Sequence, residues 1–125
     1  MRVSVTGDKP DTPDLSDLEQ AVLSTALAGD GTGMSSLRRQ LPAVQVMSRT
    51  LSGVGFVTRV QVADELPAAL PVPAMPIVRG EHPELPGGAE FLLQLKDGRL
   101  HTIEAFCFEG IWPADESAFR LSVGD

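Results

Sequence analysis

Cysteine, tyrosine and histidine are scarce in this sequence, which has one cysteine (Cys107), no tyrosine and two histidines. A single cysteine excludes an intramolecular disulfide and is typical of proteins from a reducing compartment. So few histidine and cysteine ligands, lying apart in the sequence, do not indicate a metal site. A chain of 125 residues buries enough surface to fold without a disulfide or a metal. We therefore expect neither a metal nor a cofactor.

Long apolar runs are also lacking, since none approaches the ~18 residues that a membrane-spanning helix requires. The first residues, MRVSVTGDKPD, do not contain the apolar core of a secretion signal. Arginine outnumbers lysine eight to two, and alanine, glycine and proline are abundant, a bias typical of GC-rich bacterial genomes. These features predict a bacterial cytoplasmic protein that does not bind membranes.

Carboxylates are absent from residues 31–63, although the whole chain carries a net charge of −7. The acidic balance argues against nucleic acid as a partner. The carboxylate-free stretch holds four arginines: Arg38, Arg39, Arg49 and Arg59. We expect these arginines to form ion pairs with the acidic flanks. The alternative is a basic face that binds a small anion or an acidic partner.

Two helices are predicted near the N-terminus. Thr12-Pro13 is a typical helix start, and apolar side chains keep helical spacing from there to Ala28, which a glycine follows. Met34 to Gln40 is predicted to be a second, shorter helix. We expect residues 1–12 to be a flexible tail and residues 13–125 to be a single domain.

The rest of the chain predicts strands. Apolar and polar residues alternate along residues 43–51 and 56–62, and a glycine-containing turn lies between the two runs. This pattern predicts a first hairpin. Residues 64–89 hold six prolines and predict a segment that wraps an edge of the sheet, with a short edge strand at 75–79. Residues 118–123 are predicted to form a last strand, or a short helical turn followed by a strand. The fold class is therefore α+β: two N-terminal helices packed on an antiparallel, hairpin-built sheet of four to six strands.

A second hairpin, from Glu90 to Pro113, is predicted to form the centre of the core. Asp97-Gly98 between two apolar runs is a strong signal for a two-residue type I′ turn. That turn pairs Leu95 with Leu100, and unbroken alternation beyond the pair places Glu104 on the apolar face. A three-residue loop would shift the register and re-sort the faces of the second strand.

Glu104 is the centre of the predicted site, because a carboxylate on an apolar face must be paired, protonated or close to an opening. It either forms an ion pair with Arg49 or Arg59, or acts as a desolvated general acid or base. Trp112 is predicted either to anchor the core or to line the mouth of a pocket. Cys107 lies between two phenylalanines, as a core cysteine does, and does not indicate a nucleophile.

Several short motifs resemble a family of small uncharacterised bacterial proteins. The motifs are Val54-Gly55-Phe56 followed by Thr58, Phe91-Leu92-Leu93, Asp97-Gly98-Arg99-Leu100, Glu104-x-Phe106-x-Phe108 and Trp112-Pro113. The resemblance covers residues 15–113 and includes a leucine-rich helical N-terminus. Members of the family tend to have tyrosine at the positions of Phe106 and Phe108. The family has no settled activity, so the resemblance implies no function.

These observations favour a non-catalytic protein-interaction or regulatory domain that binds a protein partner or forms a homodimer. An alternative is a domain that binds a small ligand or anion through Arg49, Arg59 and Glu104, in a cavity beneath the proline-rich segment. A further alternative is a hydrolase-like enzyme that uses Glu104.

Overall fold

The computed structural model describes residues 14–31 and 33–124. Its helices are α1, Asp17–Ala26, and α2, Met34–Gln40. Its strands are β1, Gln45–Ser52; β2, Gly55–Gln61; β3, Val78–His82; β4, Leu85–Lys96; β5, Arg99–Cys107; and β6, Arg120–Val123. Single turns of 3-10 helix cover Leu41–Ala43 and Glu116–Ala118. The predicted tail and the predicted helix start at Thr12-Pro13 lie outside the described residues.

The strands form one open antiparallel sheet in the order β1-β2-β5-β4-β3-β6. Both helices lie on the face that we call the inner face, which carries the buried side chains of Phe56, Phe91 and Ile103. The opposite face is the outer face. The predicted α+β arrangement is confirmed. The strands at the two edges are β1 and β6. The edge strand predicted at residues 75–79 overlaps only the start of β3, which lies inside the sheet.

The core lies between the helices and the inner face. α1 contributes Leu18, Val22 and Ala26, which recur at helical spacing and are buried. Burying a side chain the size of valine or leucine contributes about 1.5–3 kcal/mol. None of the helices in the described part of the chain has the length and apolar run that crossing a bilayer requires.

The central hairpin has the predicted turn but not the predicted faces. Lys96 pairs with Arg99 across a two-residue turn in which Asp97 and Gly98 have φ of 54° and 79°. Beyond that turn the register shifts by one residue, because a β-bulge places Thr102 opposite Gln94. The bulge moves the rest of β5 to the other face.

The prediction that Glu104 lies on the apolar face is therefore wrong. Glu104 pairs with Leu92, and both side chains are half-buried on the outer face. Beyond the bulge, the β5 side chains that enter the core are Ile103, Ala105 and Cys107.

The proline-rich segment packs on the turn between β4 and β5 rather than along an edge. The Ala69 amide donates to the Gly98 carbonyl at 2.8 Å, and Arg99 donates to the carbonyls of Asp64 and Leu66 at 3.1 and 3.0 Å. Gln40, fully buried at the end of α2, donates to the Pro67 and Gly98 carbonyls and accepts from the Leu100 amide. These hydrogen bonds join α2, the proline-rich segment and the hairpin turn.

Candidate functional site

The fold buries a different carboxylate, that of Glu19 on α1, whose exposed fraction is 0%. Ser16 caps the helix: its hydroxyl accepts from the Glu19 amide at 3.0 Å, and Glu19 accepts from the Ser16 amide at 2.8 Å. This capping box fixes the start of α1. It also directs the Glu19 carboxylate towards the inner face of the sheet.

Two sheet residues complete the site around Glu19. Arg49 on β1 donates from Nε to Oε2 at 2.9 Å and from Nη2 to Oε1, while the Thr58 hydroxyl on β2 donates to Oε2. Arg49 and Thr58 lie opposite each other in the β1–β2 register, so both reach the same carboxylate. Arg49 also donates to the Asp14 carbonyl at 3.2 Å.

These contacts keep Glu19 and Arg49 ionised. Burial by itself raises the pKa of the Glu19 carboxyl, but hydrogen bonds from Arg49, Thr58 and the Ser16 amide outweigh burial and leave the pKa lowered. The hydrogen bond to Glu19 raises the pKa of Arg49. A charge-assisted bond of this kind is stronger than a neutral one.

The Glu19–Arg49–Thr58 group is arranged to hold the fold together. The carboxylate already accepts from Ser16, Arg49 and Thr58 and has no exposed surface, so a substrate would have to displace one of these donors to reach it. The group joins α1 to β1 and β2. The expected pairing of an arginine from 31–63 with an acidic flank is thus observed for Arg49, with Glu19 as its partner.

The structure divides the four predicted site residues between the two faces. Glu104 and Arg59 lie on the outer face as diagonal neighbours, because Val57 pairs with Glu104 and Arg59 pairs with Thr102. Among the described residues, these two side chains form no ion pair with each other.

Arg49 and Trp112 lie on the inner side. The Trp112 ring packs edge-on against Phe56 and Phe91, with ring centroids 5.6 and 6.0 Å apart, and Nε1 donates to Glu116 Oε2 at 2.9 Å. The four predicted residues do not converge on one cavity beneath the proline-rich segment.

Glu19 was missed by sequence reasoning, although two signals mark it. Ser16-x-x-Glu19 is a capping-box motif. Glu19 also falls in line with Val22, Leu23 and Ala26, at the helical spacing of a buried stripe. A carboxylate at such a position requires a buried partner, and the carboxylate-free stretch supplies Arg49.

The other reactive side chains are held in the fold. Cys107 is buried. His82 is buried with both ring nitrogens in hydrogen bonds, since Nδ1 accepts from the Glu84 amide at 3.0 Å and Nε2 donates to the Asp115 carbonyl at 2.8 Å. Within residues 14–31 and 33–124, no group of three His, Cys, Asp or Glu side chains could hold a metal ion.

A groove of about 590 Å³ runs between α1 and the segment that leads into β6. Its lining includes the apolar side chains of Leu18, Phe119 and Leu121 and the acidic residues Asp17 and Glu116. Glu116 already accepts a hydrogen bond from the Trp112 indole, and none of the described residues directs a buried polar group without a partner into the groove. The groove does not identify a ligand.

Exposed apolar side chains are grouped along β1 and the turn that follows it. Met47, Leu51, Val54 and Ile111 are 52%, 74%, 48% and 76% exposed. The first three lie on β1 and the turn that follows it, and Ile111 is held beside that turn because the Trp112 amide donates to the Gly53 carbonyl at 2.9 Å. We call these four residues the apolar edge. In the described part of the chain, β1 has no strand on its other side.

Comparison with known proteins gives no relative: no protein-family model, no curated protein and no solved structure matches the chain. The resemblance to small bacterial proteins remains a prediction from the motifs.

Proposed function

We propose that this chain is a non-catalytic protein-interaction domain that binds its partner through the apolar edge. The observation that supports the proposal is the coincidence of four exposed apolar side chains with an edge strand, β1, that lacks a neighbour in the described residues. Contiguous exposed apolar surface is a mark of protein-interaction sites. An edge strand adds unpaired N–H and C=O groups, which pair with a strand from a partner.

β1 lacks several of the features that protect edge strands from association, such as shortness, proline and exposed charge. It is eight residues long and contains no proline, and the charge of its one inward-pointing cation, Arg49, is neutralised by Glu19. The β-bulge precedes Ser48, so the strand from there to Ser52 is regular. The opposite edge differs, because β6 has four residues and carries Arg120, an exposed cation near Glu81.

The geometry gives less support to the alternatives. An anion at Arg49 would have to compete with the Glu19 carboxylate, which already occupies Nε and Nη2. A hydrolase would need a nucleophile or a positioned water beside Glu104, whose neighbours across the sheet are Val57 and Leu92.

Site-specific photo-crosslinking in the cells that express the chain tests the proposal. A photoreactive aromatic residue replaces Ile111, and the matched control carries the same residue in place of Leu70, which is 69% exposed on the proline-rich segment. We expect a discrete protein adduct from position 111 and none from position 70. Adding Leu51→Glu should remove the adduct, with an unchanged circular dichroism spectrum because Leu51 is exposed.

Equal adducts from positions 111 and 70 would contradict the proposal. An adduct that persists with Leu51→Glu would contradict it as well, because contact at the apolar edge requires Leu51.

A further inference from the structure

We infer that the groove between α1 and the segment that leads into β6 receives a basic and apolar segment of the protein partner. In this arrangement a lysine or arginine of the partner lies beside Asp17 and Glu116, and an apolar side chain lies beside Phe119. The inference rests on the proposed function, because it assigns a chemistry to the partner of the apolar edge. The charge of the groove, its apolar lining and its position next to the apolar edge support it.

The charged residues among those described in the lining are both acidic: Asp17, in the first turn of α1, and Glu116. Within the described part of the chain, neither carboxylate forms an ion pair. Glu116 accepts the Trp112 indole through one oxygen, so its other oxygen can accept from a cation of the partner. Arg49 on β1 interacts with Glu116 at longer range, but it donates its hydrogen bonds to Glu19. The lining therefore complements a basic segment and repels an acidic one.

The groove also has the size and the apolar lining to take side chains of a partner. Its volume of about 590 Å³ falls within the range of about 300–1,000 Å³ that is usual for ligand pockets. Three larger apolar residues and two alanines line it: Leu18, Phe119, Leu121, Ala21 and Ala114. A small ligand would need several placed polar groups to orient it, whereas this lining matches an apolar side chain next to a cation.

Along the chain, the groove lies next to the apolar edge. Ala114, which lines the groove, follows Ile111 of the apolar edge by three residues, a span of at most about 11 Å. Trp112 holds the segment between them, because its amide donates to the Gly53 carbonyl at 2.9 Å and its ring lies 5.1 Å from that of Phe119. A partner that covers Ile111 therefore reaches the groove with a few further residues of its own chain.

Titration of the purified, ¹⁵N-labelled full chain with two capped tripeptides tests the inference by amide NMR. The basic probe is acetyl-Leu-Lys-Leu-amide, and the matched acidic probe is acetyl-Leu-Glu-Leu-amide. We expect the basic probe to shift the amide signals of Leu18, Thr25 and Ser117 and to bind about tenfold more tightly than the acidic probe, because the two differ only in charge. Equal affinities would overturn the inference, and so would the absence of shifts around the groove.

Removing the acidic charges tests the same contact from the side of this chain. Asp17→Asn combined with Glu116→Gln removes both charges, and glutamine can still accept the Trp112 indole. Asp64→Asn combined with Glu65→Gln is the matched control, because it changes the net charge equally at exposed residues outside the groove. We expect the first pair to weaken binding of the basic probe about tenfold and the control pair to leave it unchanged. Equal effects would show that net charge alone attracts the probe and would overturn the inference.

Ala21→Trp tests the apolar part of the contact. Ala21 is exposed on α1 and lines the groove, so a tryptophan at this position should fill the groove without changing its charge. We expect the basic probe to bind this variant at least about tenfold more weakly, while the circular dichroism spectrum stays that of the natural chain. Unchanged binding would show that the probe does not enter the groove.

Photo-crosslinking separates a failure of this inference from a failure of the proposed function. A photoreactive residue in place of Thr25, which lines the groove, should give an adduct with the same protein as position 111. Asp17→Asn combined with Glu116→Gln should remove the adduct from position 25. An adduct from position 111 without one from position 25 would leave the apolar edge as the binding surface and overturn the role of the groove. No adduct from either position would contradict the function itself.

Discussion

Glu19 and Glu104 show how far single residues could be interpreted from the sequence. The fold buries Glu19 completely against Arg49 and Thr58, whereas Glu104 is half-exposed on the outer face. The need for an arginine–carboxylate pair was predictable from the carboxylate-free stretch. The identity of the acid was not, because it depends on which strand of the sheet α1 crosses, and that contact joins residues far apart in sequence.

Replacing each glutamate by glutamine should separate their roles. We expect Glu19→Gln to lower the free energy of unfolding by about 2–4 kcal/mol, because it weakens a buried charged pair and leaves hydrogen-bond donors without full partners. Glu104→Gln is the matched control and should change it by less than about 0.5 kcal/mol, as a substitution on the outer face. Urea unfolding with equal m-values measures both changes. Equal losses from the two variants would contradict this assignment.

Acid should weaken the same contact. The pKa of Glu19 is lower in the folded chain than its ordinary value of 4.5, so the unfolded chain binds the proton more readily. The stability that Glu19 contributes is fully present above pH 4.5. It is lost as the pH falls through the lower pKa that Glu19 has in the folded chain. The difference in unfolding free energy between the natural chain and Glu19→Gln should therefore narrow from about pH 7 to pH 3.

The titration of Asp115 does not affect this comparison between the natural chain and Glu19→Gln. Hydrogen bonds from Ser117 lower the pKa of Asp115, but both proteins share that group and its effect cancels in the difference. A difference between the natural chain and Glu19→Gln that stayed constant with pH would show that Glu19 is not ionised against Arg49.

At the scale of elements, local sequence signals predicted several helix, hairpin and turn positions, but the β-bulge in β5 was not predicted. The bounds of α2, the β1–β2 hairpin and the type I′ turn follow from apolar spacing and turn residues, which act over short distances. The bulge in β5 has a signal too: apolar residues recur at Leu100, Ile103, Ala105 and Cys107, a step of three before steps of two. An extra polar residue before Ile103 marks the point where alternation restarts.

The path of the proline-rich segment could not be predicted, because its position depends on hydrogen bonds to Gly98, Arg99 and Gln40 rather than on a regular pattern. Prolines exclude a central strand, but they do not specify what the segment packs against.

Gln40 should therefore be important for stability, although it is uncharged. Gln40→Met keeps the side chain's length and removes hydrogen bonds to Pro67, Gly98 and Leu100, which are buried or partly buried. We expect a loss of about 3 kcal/mol, since buried backbone groups left without a partner cost about 1–3 kcal/mol each. Gln61→Met on the exposed side of β2 is the matched control. Chemical denaturation measures both; a loss at position 40 as small as the control would contradict the role of Gln40.

At the scale of the whole molecule, the class of fold was predictable and the order of strands was not. Hairpins are local, but the β2–β5 and β3–β6 pairings join distant segments, and these pairings decide which strands become edges. The prediction of an interaction domain came from charge and from the lack of a catalytic group. The structure supplies a surface for that proposal, the apolar edge on β1.

Amide hydrogen exchange of β1 at increasing protein concentration tests that surface most directly. If the apolar edge is where two copies of the chain meet, exchange within Gln45–Ser52 should slow as the concentration rises, while exchange within Arg120–Val123 stays the same. Leu51→Glu, a change in the regular part of the strand, should abolish the concentration dependence. Exchange of β1 that is identical at every concentration would contradict association of two chains through the apolar edge.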